Sequence, residues 1–208
     1  MILGNNEPKG KGKHTDGWEE ATNWMRKCAG SEEMKGGLKF LERSEVDMMA
    51  EVGNLDVIIL GCTLWSRIRQ DQPDAGRTDT LAIKLWKPRP QKNNEVFERS
   101  YNWLKDTVKD IRQTRRKSAR ILVITHHAPC FGTSKAGQDK TGPNWSSYQN
   151  DILGGEGVEG LRRGDTWVFG HTHFTCDFTQ DEVRVYSNAR GRPKEVTPGY
   201  FEDKVISV

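Results

Sequence analysis

The chain has 208 residues, a formal net charge of +3 at pH 7, and 34% hydrophobic and 29% charged residues. This length is enough for one domain with a sizeable core, whereas the small and mixed charge gives no support for binding to nucleic acid. Apolar runs are far shorter than the roughly 18–20 residues that cross a bilayer, so the sequence also argues against a membrane protein.

Hydrophobic periodicity predicts two helices. The first spans about residues 18–28, with Thr15 or Asp16 as its capping residue and Gly30 at its end. The second spans about residues 94–117, where apolar side chains recur at steps of four, three, four and three and therefore share one face. That face consists of Phe97, Tyr101, Leu104, Val108 and Ile111. Its simplest role is packing against the core.

Short apolar runs predict six strands. They are residues 38–41, 57–62, 121–125, 166–169, 183–187 and 205–208. Residues 131–144 are rich in Gly, Lys and Thr and lack periodicity, which predicts a loop. Helices and strands that alternate in this way predict an α/β (α+β) fold.

Four of the five histidines follow two of these predicted strands. His126 and His127 come directly after residues 121–125, and His171 and His173 come shortly after residues 166–169. Imidazoles at the ends of strands are typical of a metal site, because neutral imidazole is a common ligand for zinc, iron and nickel and also serves manganese.

The spacing of these histidines also predicts where their rings point. On an extended segment residues i and i+2 share a face, so His171 and His173 are expected to point at one place. Gly170 beside them leaves room for a close approach to the backbone. Adjacent residues alternate, so His127 is expected to face away from His126 and is not counted as a ligand.

Three motifs occur in a recognisable order and spacing. They are Gly4-Asn5-Asn6-Glu7, Thr125-His126-His127-Ala128-Pro129 and Gly170-His171-Thr172-His173. In these motifs the chain resembles the calcineurin-like metallophosphoesterases, and the resemblance covers nearly the whole chain from Gly4 onward. It implies two mixed β-sheets packed face to face as a sandwich, flanked by helices, with metal ligands on loops at the C-terminal ends of the strands.

The resemblance implies a hydrolase that acts on a phosphoester substrate with two divalent metal ions, which activate a water and clamp the phosphoryl oxygens. Asn5, His126 and His171 would bind one ion, and His173 would bind the other. Arg190 would bind the phosphate of the substrate. The sequence does not distinguish Mn, Fe, Zn and Ni, and it implies neither a nucleic acid nor a membrane as partner.

Two departures from the family pattern bear on activity. No Asp-x-His or Gly-Asp-x-x-Asp motif precedes Gly4, and Asn6 stands where the family carries a His. We therefore expect residues 1–208 to form a single, N-terminally truncated domain with a sheet edge exposed. We also expect impaired activity, because uncharged ligands do not offset the charge of the ions and Asn6 cannot deliver a proton.

Two alternatives remain open from the sequence. One is a non-catalytic remnant or pseudo-enzyme that binds a partner. The other is a structural zinc site, whose ligands would be His126 or His127, Cys130, His171 or His173, and Cys176. The four cysteines form no Cys-x-x-Cys pair, which is typical of reduced thiols and favours a cytoplasmic location.

Overall fold

The computed structural model describes residues 1–5, 17–49, 56–72, 91–134 and 145–208. Two helices and six strands organise these residues. In chain order they are α1 (Trp18–Ala29), β1 (Ser44–Met49), β2 (Asp56–Cys62), α2 (Gln91–Asp110), β3 (Arg120–Thr125), β4 (Thr166–Val168), β5 (Cys176–Gln180) and β6 (Val183–Ser187). A π-helical turn, Ile111–Arg115, continues α2. No helix among the described residues combines the length and the apolar character that crossing a bilayer requires.

The strands form one mixed sheet in the order β1-β2-β3-β4-β6-β5. The inner strands β2, β3, β4 and β6 are parallel to one another, whereas the two outer strands β1 and β5 are antiparallel to their neighbours. The predicted α/β class is confirmed. The described residues nevertheless form a single six-stranded sheet, not the pair of packed sheets that the resemblance implies. Because the inner strands are parallel, their C-terminal ends lie at the same edge of the sheet.

Helix α2 packs on the core as its periodicity predicts. Every member of the predicted apolar stripe, from Phe97 to Ile111, is at most 2% exposed. They belong to one hydrophobic cluster with buried side chains of the inner strands, among them Ile58, Ile121 and Trp167. The helix begins three residues before the predicted start, and its predicted last turns are the π-helical turn.

Helix α1 also follows its prediction closely. It begins at Trp18 and ends at Ala29, and the N–H of Gly30 donates to the carbonyl of Arg26 at 3.0 Å, closing the C-terminus. Thr15 and Asp16, the predicted capping residues, lie outside the described residues.

The predicted strand at residues 38–41 is wrong, because this segment bonds to the start of the chain instead of joining the sheet. The N–H of Leu41 donates to the carbonyl of Met1 at 2.7 Å, and the Met1 ammonium donates to the carbonyl of Lys39 at 2.6 Å. The side chain of Leu41 lies directly over β2, where a Cβ at Gly61 would be 2.5 Å from the Leu41 Cβ.

The predicted strand at residues 205–208 is also wrong. Two guanidinium groups hold its carbonyls: Arg120 donates to the carbonyl of Val208 at 2.8 Å, and Arg184 donates to that of Ser207 at 2.9 Å. Backbone bonds of a sheet ladder are thus replaced by side-chain bonds, and Val205 is 86% exposed.

A buried ion pair ties the end of α2 to the sheet. Arg112 and Asp165 have side chains that are only 10% and 2% exposed, and both Asp165 oxygens accept from Nη2 of Arg112, at 2.6 and 2.8 Å. The same guanidinium donates to the carbonyls of Gly160 and Ala119.

The carboxylate of Asp165 also joins β3 to β4. Asp165 directly precedes β4, and its Oδ1 accepts from the N–H of Ile121 in β3 at 2.8 Å. Its Oδ2 accepts from the N–H of Arg162 at 2.9 Å. One side chain therefore fixes how the starts of these two strands lie against each other.

Substitution of Arg112 by methionine tests this pair. Arg112→Met leaves a charged carboxylate buried without its partner, so we expect a loss of about 3–5 kcal/mol in the free energy of unfolding. Urea unfolding monitored by circular dichroism measures it. Arg163→Met is the matched control, because its guanidinium is 88% exposed, and a change within about 0.5 kcal/mol is expected. Equal changes in the two variants would contradict the role of the pair.

Candidate active site

The start of the chain brings Asn5 to the end of β3. Leu3 is buried, and its carbonyl accepts from the hydroxyl of Thr63, the residue after β2, at 2.7 Å. Asn5 is 5% exposed, and its Oδ1 lies 2.8 Å from Nε2 of His126, 121 residues away in the sequence. Two of the predicted site residues therefore meet at the C-terminal edge of the sheet.

Three imidazole rings gather at this edge. The ring centroid of His171 lies 4.9 Å from that of His126 and 4.1 Å from that of His127, and the latter two are 5.2 Å apart. The prediction that His127 faces away from His126 is wrong. Strand β3 ends at Thr125, whose hydroxyl donates to the carbonyl of His127 at 2.8 Å, so the chain turns here and alternation of side chains no longer applies.

His127 is the packing residue of this cluster. It is 1% exposed, its ring lies 5.4 Å from that of Trp65, and its Nδ1 lies 3.4 Å from the carbonyl of Thr63. Burial, followed by the nearby His171 and His126, lowers the pKa of His127 well below its usual range. The ring is therefore neutral at neutral pH. In the sequence, the position of His127 directly next to His126 was the feature that could have indicated its place in this cluster.

The loop after β4 separates the two histidines of the Gly-His-Thr-His motif. His171 and His173 have φ angles of 63° and 51°, both left-handed, so the segment is not extended and the same-face prediction is wrong. His171 turns its Nε2 to the carbonyl of Ser147 at 3.1 Å. His173 places its Nδ1 2.8 Å from Oε2 of Glu195.

Gly170 connects the two histidine loops through its backbone. Its N–H donates to the carbonyl of His126 at 3.0 Å. A Cβ at this position would meet His126 at 3.7 Å, an ordinary contact, so these protein atoms do not require a glycine.

Backbone strain marks the same region. Leu64 and Trp65, in the segment after β2, have φ angles of 69° and 63°. With His171 and His173, four non-glycine residues on two loops around the imidazole cluster adopt the left-handed region. Such conformations are costly and concentrate where geometry serves a site.

Arg190 lies three residues after β6, at the same edge of the sheet. It is exposed, and its carbonyl accepts from the hydroxyl of Thr197 at 3.2 Å. Asn6, predicted to replace a proton donor, lies outside the described residues.

The donor atoms of Asn5 and His126 are of types that could hold a metal ion. Oδ1 of Asn5 and Nε2 of His126 lie 2.8 Å apart, which is the distance of a hydrogen bond. His171 adds a second imidazole to this donor set. For a second ion, the donor at hand in the described part of the chain is His173, whose Nδ1 lies against Glu195.

A cysteine–histidine zinc site is not formed. In the described ranges, no three His, Cys, Asp or Glu side chains are arranged to hold a metal ion. Burial raises the pKa of Cys130 and of Cys176 to about 12 in each case, so both remain thiols at neutral pH. The described residues therefore give no support to the structural zinc interpretation.

Comparisons with known proteins give limited similarity. No protein-family model matches the chain. An uncharacterized protein of Acanthamoeba polyphaga mimivirus is 24% identical over 147 residues, which are 67% of this chain and 52% of that protein. The chain thus spans about half the length of the curated relative that it matches.

One solved structure is similar to this chain at a low level. A protein of Staphylococcus aureus, provisionally named a 5′-nucleotidase and solved with alpha-ketoglutarate, has a TM-score of 0.41 and 13% sequence identity. The match covers 89% of this chain and 31% of that one. A likeness of this size carries no inference about the site.

The buried ring of His127 predicts acid sensitivity. Because its folded pKa is below the unfolded value of about 6.5, the unfolded chain takes up a proton first, and stability is lost as the pH falls through that range. In a chelating buffer we expect the free energy of unfolding to fall by up to about 1.4 kcal/mol per pH unit below pH 6 from this group.

His127→Phe removes the titrating group and should flatten this dependence in urea unfolding between about pH 5 and 7. The control is Trp24→Phe, at a side chain that is 62% exposed and does not titrate, which should keep the wild-type slope. Identical slopes for both variants would rule out His127 as the source.

Proposed function

We propose that this chain carries one cation-binding half of a phosphoester hydrolase site, with Asn5, His126 and His171 as the ligands of one divalent ion. The observation that supports it best is the 2.8 Å contact between Asn5 and His126, 121 residues apart, beside the ring of His171. These three residues are the ones that the family resemblance assigns to one ion.

The ligand atoms have defined roles in this proposal. Nε2 of His126 donates to Oδ1 of Asn5 in the present arrangement, so binding of a cation by both atoms requires the ring proton to move from Nε2 to Nδ1. His171 donates from Nε2 to the carbonyl of Ser147, so Nδ1 is the nitrogen of the neutral ring that carries the lone pair. The ion would supply Lewis acidity and an activated water.

Other residues would shape the site around the ligands. The neutral ring of His127 and the nearly buried Trp65 exclude water beneath the ligands. Exclusion of water strengthens the polar interactions of a site. Arg190 would hold the phosphate, since an exposed guanidinium can bind two oxygens at once.

The proposal includes impaired catalysis by this chain as it stands. The three ligands are uncharged, and a hard cation favours carboxylate oxygens. Zinc or nickel is therefore the best suited ion, and complete turnover would require carboxylates beyond the described residues. Phosphodiesters with good leaving groups should be the best substrates, because they least need a proton donor in place of Asn6.

A second candidate function is binding of a partner strand at β1. This strand is an edge of the sheet, and its Met48 is 52% exposed. An edge strand offers backbone groups for pairing with another chain. The metal experiment below separates the two functions, because strand pairing at β1 needs none of the histidines.

Calorimetric titration with zinc and nickel tests the ligand set. Asn5→Ala and His126→Ala should each weaken binding at least about tenfold, because each removes a donor from an uncharged site. Asn23→Ala, an exposed asparagine on α1, is the control and should leave the affinity unchanged. Equal affinity in all variants would contradict the cation site.

Hydrolysis of bis-p-nitrophenyl phosphate with nickel or manganese tests the reaction. We expect slow turnover that His171→Ala reduces by about 10²-fold or more, because the ion then keeps only two ligands. Turnover that persists in His171→Ala would point to a contaminant. Absence of turnover together with tight metal binding would leave the non-catalytic function as the better interpretation.

A further inference from the structure

Glu195 holds the second histidine of the Gly-His-Thr-His motif. Its Oε2 lies 2.8 Å from Nδ1 of His173 and also accepts from the N–H of Arg192 at 2.8 Å. The N–H of Glu195 in turn donates to the carbonyl of Arg192 at 2.9 Å, so the carboxylate is anchored within its own turn. The Arg192 N–H first, and then His173, lower the pKa of Glu195.

The turn that carries Glu195 is closely fitted. Gly191 has a φ angle of 79°, and a Cβ there would lie 2.9 Å from Glu195 Oε2 and 2.7 Å from the Thr197 hydroxyl. That hydroxyl donates to the carbonyl of Arg190. Position 191 thus requires a left-handed φ angle and the absence of a Cβ, and glycine provides both. The backbone of this turn therefore allows the Glu195 carboxylate to lie where it does.

The orientation of the His173 ring depends more on the Glu195 carboxylate than on the neighbouring residues of its own loop. The hydroxyls of Thr172 and Thr175, on either side of it, are buried and have no hydrogen-bond partner among the described residues. The backbone of His173 is left-handed. The bond to Glu195 is therefore a principal polar restraint on the orientation of this ring.

The pairing decides which ring nitrogen carries the proton. An ionised carboxylate only accepts hydrogen bonds, so Nδ1 of His173 must donate, and the neutral ring keeps its lone pair on Nε2. An unconstrained imidazole in a peptide favours the opposite tautomer, with the proton on Nε2. Carboxylates that bond one ring nitrogen commonly orient a histidine whose other nitrogen serves as a ligand.

We propose that Glu195 is a positioning residue that holds His173 in the Nδ1–H tautomer and leaves Nε2 to accept a cation or a hydrogen bond from a phosphoester. The tautomer follows from the local geometry alone. The use of Nε2 at the site rests on the function proposed above.

Long-range proton–nitrogen NMR on histidine labelled with ¹⁵N tests the tautomer. The spectra are recorded without metal at about pH 8.5, above the ordinary pKa of histidine, and His173→Gln assigns the signal. In the unmodified protein, His173 should show a protonated Nδ1 and an unprotonated Nε2. Glu195→Ala should shift the main population to the Nε2–H form. Glu195→Gln, whose neutral amide can either accept from or donate to Nδ1, should give a population of the Nδ1–H form between those of the unmodified protein and Glu195→Ala.

The matched control is Glu202→Ala, at an exposed glutamate of the same C-terminal region, which should leave the His173 signal unchanged. If Glu195→Ala unfolds the protein, the signals of the other histidines will show it. The spectra of Glu195→Gln and of the unmodified protein then decide whether the proposal holds. Nε2–H as the main form in the unmodified protein, or no shift in a folded Glu195→Ala protein, would overturn the proposal. Because no metal or substrate is added, this result is independent of whether the cation site exists.

Discussion

The buried pair of Arg112 and Asp165 is the constraint on which the candidate site depends. Asp165 stands immediately before β4 and accepts from the N–H of Ile121, the second residue of β3, so the two parallel strands start at a fixed offset. Their register then runs from Leu122 opposite Thr166 to Ile124 opposite Val168. His126 and His171 are consequently delivered to the same edge of the sheet, where their rings come within 4.9 Å. An electrostatic contact at the start of the strands thereby sets the geometry at their ends.

The sequence predicted the buried part of this fold better than its margins. Strands β2, β3, β4 and β6 lie inside the sheet; β2, β3 and β4 are largely apolar and β6 is apolar at alternate positions, so composition and pattern revealed them. Strands β1 and β5 are edges with alternating or polar residues, such as the half-exposed Cys176–Gln180, and they were missed. Residues 38–41 and 205–208 look like strands in composition. Their hydrogen bonds go to the chain start and to two arginines, and these distant partners leave no local signal in the sequence.

The residues of the candidate site also fall into those that the sequence predicted and those that it did not. The motifs identified Asn5, His126 and His171, and the fold brings these three together. Rules for extended chains failed at His127 and His173, because each lies beyond the end of its strand, where the backbone turns. Glu195 could not be predicted, since it follows His173 by 22 residues and reaches it through a tight turn at Gly191. Periodicity therefore describes strands, whereas chemistry at strand ends depends on loop conformations that periodicity does not encode.

The surroundings of the histidines differ in charge, and this difference limits which ions and substrates the site can bind. The cluster of His126, His127 and His171 is partly or fully buried, and burial disfavours protonation of His127. A dication there must replace its hydration with uncharged donors, which suits ions that bind imidazole strongly over ions that need carboxylates. His173, by contrast, is half-exposed, and the carboxylate of Glu195 lies against its ring. A phosphoester, itself an anion, would be repelled by that carboxylate unless a cation or Arg190 lay between them. In the proposed function, the neutral half would hold the first ion, and the half that carries Glu195 would become useful only after positive charge is present.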